Sequence, residues 1–188
     1  MEGICGVTRW EHVIIRDKKQ LLYVEGQRLM TNETNTAILA CKKAGATEVI
    51  VSDAHWESKN LLKDKLHSKF AELVPRDEQI AMLSGIKGCD VVIFLGYHGK
   101  AGGDNFLAHT ISGEWIQKIT VNDVEVSEGT MNAAVARDLG AKLVLVSGTD
   151  AGVEEVKEEI PSVHYVVATK SDGEWTGIPS CVPKAFQS

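Results

Sequence analysis

Five side chains in this sequence could share one piece of chemistry: Glu2, His55, His98, His109 and Glu128. His55 stands three residues past the apolar, β-branched run 47–52 (TEVIVS), and His98 stands directly past a second such run, 90–96 (DVVIFLG). His109 follows after the glycine-rich stretch 99–103, so two imidazoles lie near one strand end. In open α/β sheets, ligands and reacting groups collect at the carboxyl ends of parallel strands, which is where these histidines are expected. Glu128 follows a hairpin signature, and Glu2 would follow a strand if one lay upstream. Two histidines and two carboxylates, His55, His98, Glu2 and Glu128, form a ligand set suited to Zn, Mn, Fe or Co. Zinc is the commonest of these for hydrolysis, and mixed His/Glu sites leave coordination positions open for water, around one ion or two.

The neighbouring polar residues have plainer readings. Asp53, two residues before His55, is a loop cap in preference to an orienting partner of that imidazole. His12, His67 and His164 have no carboxylate close in sequence, and Glu154, Glu155, Glu158 and Glu159 read as a solvated helix face. The stretch 99–105 reads as a mobile loop near the site, or as a plain surface turn.

The elements that must position this set follow from periodicity. Residues 21–44 carry helical spacing through Met30, Ala37, Ile38, Cys41 and Ala44, with Gly45 as a stop and Thr31 and Asn32 able to cap a second helical piece. Residues 47–52 form a strand, 56–75 a loop-rich stretch, and 78–86 (EQIAMLSGI) a short amphipathic helix leading to a strand over 91–95 that reads as buried on both faces and mid-sheet. Residues 116–126 read as a β-hairpin turning at Asn122 and Asp123. A helix over 130–139, a strand over 142–147, a helix over 153–160 capped by Asp150, and a strand over 163–168 complete the alternation. Residues 10–19 read as loop. The fold class is α/β: a mostly parallel sheet flanked by helices, with an inserted β-hairpin. Residues 1–170 are expected to be a single domain and 171–188 an irregular tail.

Composition bounds the function class. The chain has 188 residues, 44% hydrophobic and 24% charged, enough for one good core. A net charge of −6 without a Lys/Arg cluster argues against nucleic acid as a partner. No apolar run approaches the roughly 20 residues that span a bilayer, so no membrane partner is expected. Cys5, Cys41, Cys89 and Cys181 are scattered with no C-x-x-C pair, which reads as reduced thiols in a cytoplasmic protein.

In register along the chain stand Met1-Glu2-Gly3-Ile4, Met30-Thr31-Asn32-Glu33-Thr34-Asn35, Ser52-Asp53-Ala54-His55, Phe94-Leu95-Gly96-Tyr97-His98, Ala108-His109-Thr110, Asn122-Asp123 with Ser127-Glu128, and Val146-Ser147-Gly148-Thr149-Asp150. This series resembles the D-aminopeptidase family of zinc peptidases, peptidase family M55, over roughly residues 1–170. The resemblance implies a two-zinc centre with Glu2, His55, His98 and Glu128 as metal ligands, and His109 in the catalytic role beside the metals. It implies release of N-terminal D-amino acids such as D-Ala from short peptides, in a homo-oligomer built as a decameric ring.

Two departures accompany it. The family's first strand ends in Asp-x-Glu-Gly, and that Asp would fall immediately before Met1. The family also continues well beyond the equivalent of Lys170. The favoured expectation is that the N-terminal strand belongs to sequence upstream of Met1. Two rival readings are a non-catalytic truncated paralogue or subunit, and another two-metal hydrolase such as a phosphoesterase. The second lacks a P-loop-type phosphate cradle and an arginine near the motifs.

Overall fold

The computed structural model describes residues 2–14 and 21–180. Helix α1 (Leu21–Lys43) is one continuous helix and not two pieces. Its interior is polar where it faces the protein: Thr31, Thr34 and Asn35 are buried beside Met30 and Ile38. The helix ends as the sequence suggests. Gly45 takes φ +93°, and the amide of Ala46 reaches back to the carbonyl of Cys41, the bond pattern of a Schellman stop.

Strand β1 (Val49–Ser52) pairs in parallel with β2 (Ala71–Val74), which lies inside the stretch expected to be loop. Residues 78–86 form turns and not a helix. They are closed by the side chain of Asp77, which accepts from the amides of Gln79 and Ile80, and by Ser84, which accepts from the amide of Asp77. The Asp77 bonds are those of a helix cap, but Ala81 at φ +35° and Gly85 at φ +80° leave the helical region and stop a helix from continuing.

The second sheet runs β3 (Val91–Tyr97), β6 (Lys142–Thr149), β7 (His164–Ser171), β8 (Gly177–Pro179), the first three parallel and β8 antiparallel. Between β3 and β6 in sequence lie β4 (Thr120–Val121) and β5 (Val124–Glu125), a short exposed hairpin turning at Asn122 and Asp123, both with positive φ. Strand β8 falls within the expected irregular tail. The segment is ordered by β7 and by a bridge from Arg9 to Thr176. The expected mid-sheet strand, β3, is instead at an edge of its sheet, with Val91 half exposed. Its free side faces β1 across a cavity of about 1580 Å³ lined by both strands.

Helices α2 (Glu128–Asp138) and α3 (Asp150–Glu159) pack on one side of this sheet, burying Phe94, Tyr97, Ala133, Ala136, Leu143, Val146 and Val156. A second core joins Ile4, Val7, Val13, Met30, Ile38, Phe106 and Leu107. The mixed α/β class with mostly parallel pairing is as expected. Cys5 is disulfide-bonded while Cys41 and Cys89 are free thiols, which corrects the expectation of reduced thiols at Cys5. No helix among the described residues is long and apolar enough to cross a membrane.

Candidate metal centre

The carboxyl ends of β1 and β3 and the N-terminus of α2 bring all five expected residues to one place. Glu2 arrives on the opening loop, where its amide and that of Gly3 both donate to the carbonyl of Gly96, at 2.8 and 2.9 Å. Gly3 has no room for a side chain: a Cβ there would approach the amide nitrogen of Thr149 and the carbonyl oxygen of Tyr97 at 2.7 Å. His98 leaves the end of β3, pressed from behind by Gly152 of α3. A Cβ on Gly152 would meet the His98 backbone at 2.5–2.7 Å.

Glu128 is the first residue of α2, not part of the loop before it. Ser127 caps the helix by accepting from the amide of Thr130, while Thr130 Oγ1 accepts from the amide of Ser127. A carboxylate at this helix N-terminus is electrostatically favoured. One of its oxygens accepts from the amide of Ile111 at 2.7 Å, which ties α2 to the loop bearing His109.

That loop is closed, not loose. The amide of His109 donates to the carbonyl of Gly99, the amide of Ala101 donates to Thr110 Oγ1, and Phe106 and Leu107 are fully buried. The closure stacks the His109 ring on that of His98, with centroids 4.1 Å apart and planes 13° from parallel.

His55 is held by a buried network. Asp53 accepts from the amides of Asn60 and Leu61 and from Asn60 Nδ2, so it is the loop cap expected from sequence. Asn60, one per cent exposed, is the residue that sequence missed. Its Nδ2 also donates to the carbonyl of His55 at 2.6 Å, and its Oδ1 accepts from the Tyr23 hydroxyl.

Each imidazole has one nitrogen satisfied by backbone, which fixes where the other points. His98 Nδ1 faces the carbonyl of Gly99, His109 Nδ1 faces that of Leu107, and His55 Nε2 faces that of Val13. With these nitrogens donating, His98 Nε2 and His109 Nε2 in neutral rings are lone pairs turned towards the carboxylates, whereas His55 Nδ1 donates a hydrogen bond to Glu2. His55 Nδ1 lies 2.5 Å from Glu2, His98 Nε2 4.0 Å from Glu2 and 3.8 Å from Glu128, and His109 Nε2 3.7 Å from Glu2 and 4.0 Å from Glu128.

Electrostatics agree with a cation site. Burial pushes the Glu2 carboxyl up, but His55, His109 and His98 together outweigh it and hold it well below the usual carboxylate range. Burial, with His109 alongside, lowers the His98 imidazole, keeping its lone pair free. Burial lowers His55 too, yet the charge and hydrogen bond of Glu2 prevail and raise it.

The residues fit a divalent metal. Two ligands each about 2 Å from one ion can be at most about 4 Å apart, and the pairs above fall within that reach. Among the described residues, Glu2, His98 and His109 form a triplet whose ligand atoms all lie within 4.8 Å of one another. His109 Nε2 is thus as near to Glu2 as that of His98, one of the residues expected to be a ligand. Trp10 closes one side, 5.8 Å from the His109 ring and 6.4 Å from Trp175. Glu155 is not part of a solvated face as expected: it is partly buried and accepts from the amide of Lys100.

A parallel α/β sheet with clustered histidines and carboxylates across its carboxyl edge defines a metallohydrolase-like class of site. A family described as D-aminopeptidase, peptidase family M55, matches residues 1–185. The chain is 34% identical over 168 residues to a D-aminopeptidase of Bacillus subtilis (strain 168), covering 87% of this chain and 58% of that protein. It also superposes on the solved Zn-dependent D-aminopeptidase DppA from Bacillus subtilis, described as a self-compartmentalizing protease. The TM-score is 0.87 at 30% identity, over 95% of this chain and 64% of that one. The chain belongs to the M55 family of D-aminopeptidases. It spans a little under two thirds of the length of both relatives.

Proposed function

We propose that this chain carries the catalytic part of a zinc-dependent aminopeptidase that releases N-terminal D-amino acids, such as D-Ala, from short peptides or amides. The observation that carries the reading is the set of three backbone-anchored imidazoles whose second nitrogens face Glu2 and Glu128. Glu2, His55, His98 and Glu128 would hold the metal, two ions being the family expectation. Bound there, zinc supplies Lewis acidity towards the scissile carbonyl and lowers the pKa of a water towards neutrality.

The chain's own residues do the rest. His109 Nε2, with Nδ1 donating to Leu107, is oriented to take a proton or to attack as a nucleophile. Trp10, hydrogen-bonded through its indole to the carbonyl of Glu174, walls that imidazole and excludes water from one side.

The cavity between β1 and β3 supports placing there the strand that, by the family pattern, ends in an aspartate just before Met1. That strand would complete the ligand set. Exposed Leu21, Trp115, Trp175 and Ile178 support assembly with further copies, a decameric ring being the expected form.

The deciding experiment is hydrolysis of matched D- and L-aminoacyl amides beside a phosphoester, with and without a chelator. D-selective release abolished by chelation and restored by Zn2+ is the expected result. Phosphoester turnover alone would assign the site to the other two-metal chemistry, and no turnover of any substrate would make the chain a non-catalytic form.

A further inference from the structure

The opening loop is pinned at two points by one carboxylate circuit that touches none of the proposed metal ligands' side chains. Strand β3 loses register against β6 between Phe94 and Tyr97, so Gly96 falls outside the regular ladder. The carbonyl of Gly96 is spent on Glu2 and Gly3. Its amide donates to Ser147 Oγ at 3.3 Å, and that hydroxyl donates onward to Glu33 Oε1 at 2.8 Å. The second oxygen, Glu33 Oε2, accepts from the amide of Cys5 at 3.0 Å. Helix α1 thereby grips the loop at Cys5 directly and at Glu2 through Ser147 and Gly96.

The donors of the circuit suit a carboxylate: burial raises the Glu33 carboxyl, and the bonds from Cys5 and Ser147 act against that rise. Cys5 N–H and Ser147 O–H both donate, and the Ser147 oxygen is already accepting from Gly96. An ionised Glu offers two acceptor oxygens and no donor, whereas a Gln turns an NH2 against one of these donors. Hydrogen bonds to a charged acceptor are also the stronger kind, which suits a residue that must hold a chain segment in place. Glu33 lies on α1 amid the buried polar stripe Thr31, Thr34 and Asn35, of which Thr31 bonds to Gln27 and Leu62, and Asn35 to Lys65 and His67.

We propose that Glu33 is a positioning residue for Glu2: through Cys5 and through Ser147 and Gly96 it fixes the opening loop so that the Glu2 carboxylate meets His55, His98 and His109. The inference rests on the reading of that cluster as a metal site.

The test is Co2+ titration of the full chain, followed by the visible absorption of the bound ion. It compares wild type, Glu2→Gln, Glu33→Gln and the double variant. Wild type is expected to bind, and Glu33→Gln to bind roughly 10-fold or more weakly, the usual size of an outer-partner effect. Because Glu33 acts through Glu2, the double variant should bind no more weakly than Glu2→Gln alone. Additive losses would overturn the proposal, as would a Glu33→Gln affinity within about twofold of wild type. Absence of Co2+ binding by wild type would instead sink the metal reading beneath it, and the proposal with it. A merely structural Glu33 would lower the thermal midpoint and leave the affinity of the folded protein unchanged. Should Glu33→Gln fail to fold, Ser147→Ala breaks the other arm of the circuit, and the same non-additivity with Glu2→Gln decides.

Discussion

At the scale of single residues, the structure separates what a histidine touches from what it does. His98 Nε2 lies within 4.0 Å of both carboxylates and its other nitrogen is tied to Gly99, so His98→Ala removes a direct ligand from the proposed site. Metal affinity should fall by more than the roughly 10- to 100-fold typical of losing an outer partner. Equal zinc loading in wild type and variant, measured by elemental analysis after dialysis, would remove His98 from the site. His109 is the sharper case, because its Nε2 is as near to Glu2 as that of His98. If it reacts with substrate, His109→Ala keeps the metal and loses turnover, whereas a ligand loses both together. Turnover within about threefold of wild type, only about 0.65 kcal/mol of barrier, would leave it no chemical role. His55, His98 and Glu128 were legible in sequence because each follows a strand or hairpin signal, His109 because it follows the glycine-rich stretch 99–103, and Glu2 through the family resemblance. Asn60, Ser147 and Trp10 were not, since their partners His55, Glu33 and His109 lie far along the chain or are reached only by folding. The one available hint was the polar stripe Thr31, Thr34, Asn35 on the core face of a helix, a pattern that signals a buried polar network.

Between elements, the contact that matters most is α3 against the end of β3. With no Cβ at position 152, the helix rests directly on the His98 backbone. Gly152→Ala must push α3 away or displace His98, because the clash is with backbone atoms that have nowhere to turn. Overpacking of this kind costs about 1–3 kcal/mol, and the strain is delivered to a proposed metal ligand. The expected outcome is a lower thermal midpoint together with weaker metal binding, while Glu158→Ala on the exposed face of the same helix changes neither. A Gly152→Ala protein that matches wild type in both measurements would show that α3 can shift without moving His98. The strands and helices with clean periodicity, α1, β1, β3, β6 and β7, were legible in sequence. Strand β2 was not, because Ala71–Val74 is too short to show alternation, and its pairing with β1 is a tertiary choice. The expected helix over 78–86 failed for the opposite reason, since its apolar spacing and its Asp77 cap are real but Ala81 and Gly85 take positive φ within it.

For the molecule as a whole, the two sheets meet across a cavity and not through hydrogen bonds. Strands β1 and β3 both run towards the metal centre, both present to the cavity an edge that is unpaired among the described residues, and Glu2 lines that cavity, bonded to Gly96 of β3. A strand running parallel to both would pair the two edges at once, cover the apolar side chains that line the gap, and deliver its last residue beside Glu2. Unpaired strand edges are sites of association, and backbone groups left without partners weaken the sheets that carry them. An N-terminal extension of apolar residues, about the seven-residue length of β3 and ending in Asp before Met1, is therefore expected to raise the thermal midpoint and suppress aggregation. It is also expected to increase bound metal, because the added carboxylate would stand beside Glu2 on a rigid strand end. The same extension ending in Asn isolates the two effects: it should keep the gain in stability and lose the gain in metal. The measurements are thermal midpoint, metal stoichiometry and D-aminoacyl amide hydrolysis for the 188-residue chain and both extended forms side by side. If the 188-residue chain equals the Asp-ending form in all three, the cavity is not a strand site and the ligand set is complete without the aspartate.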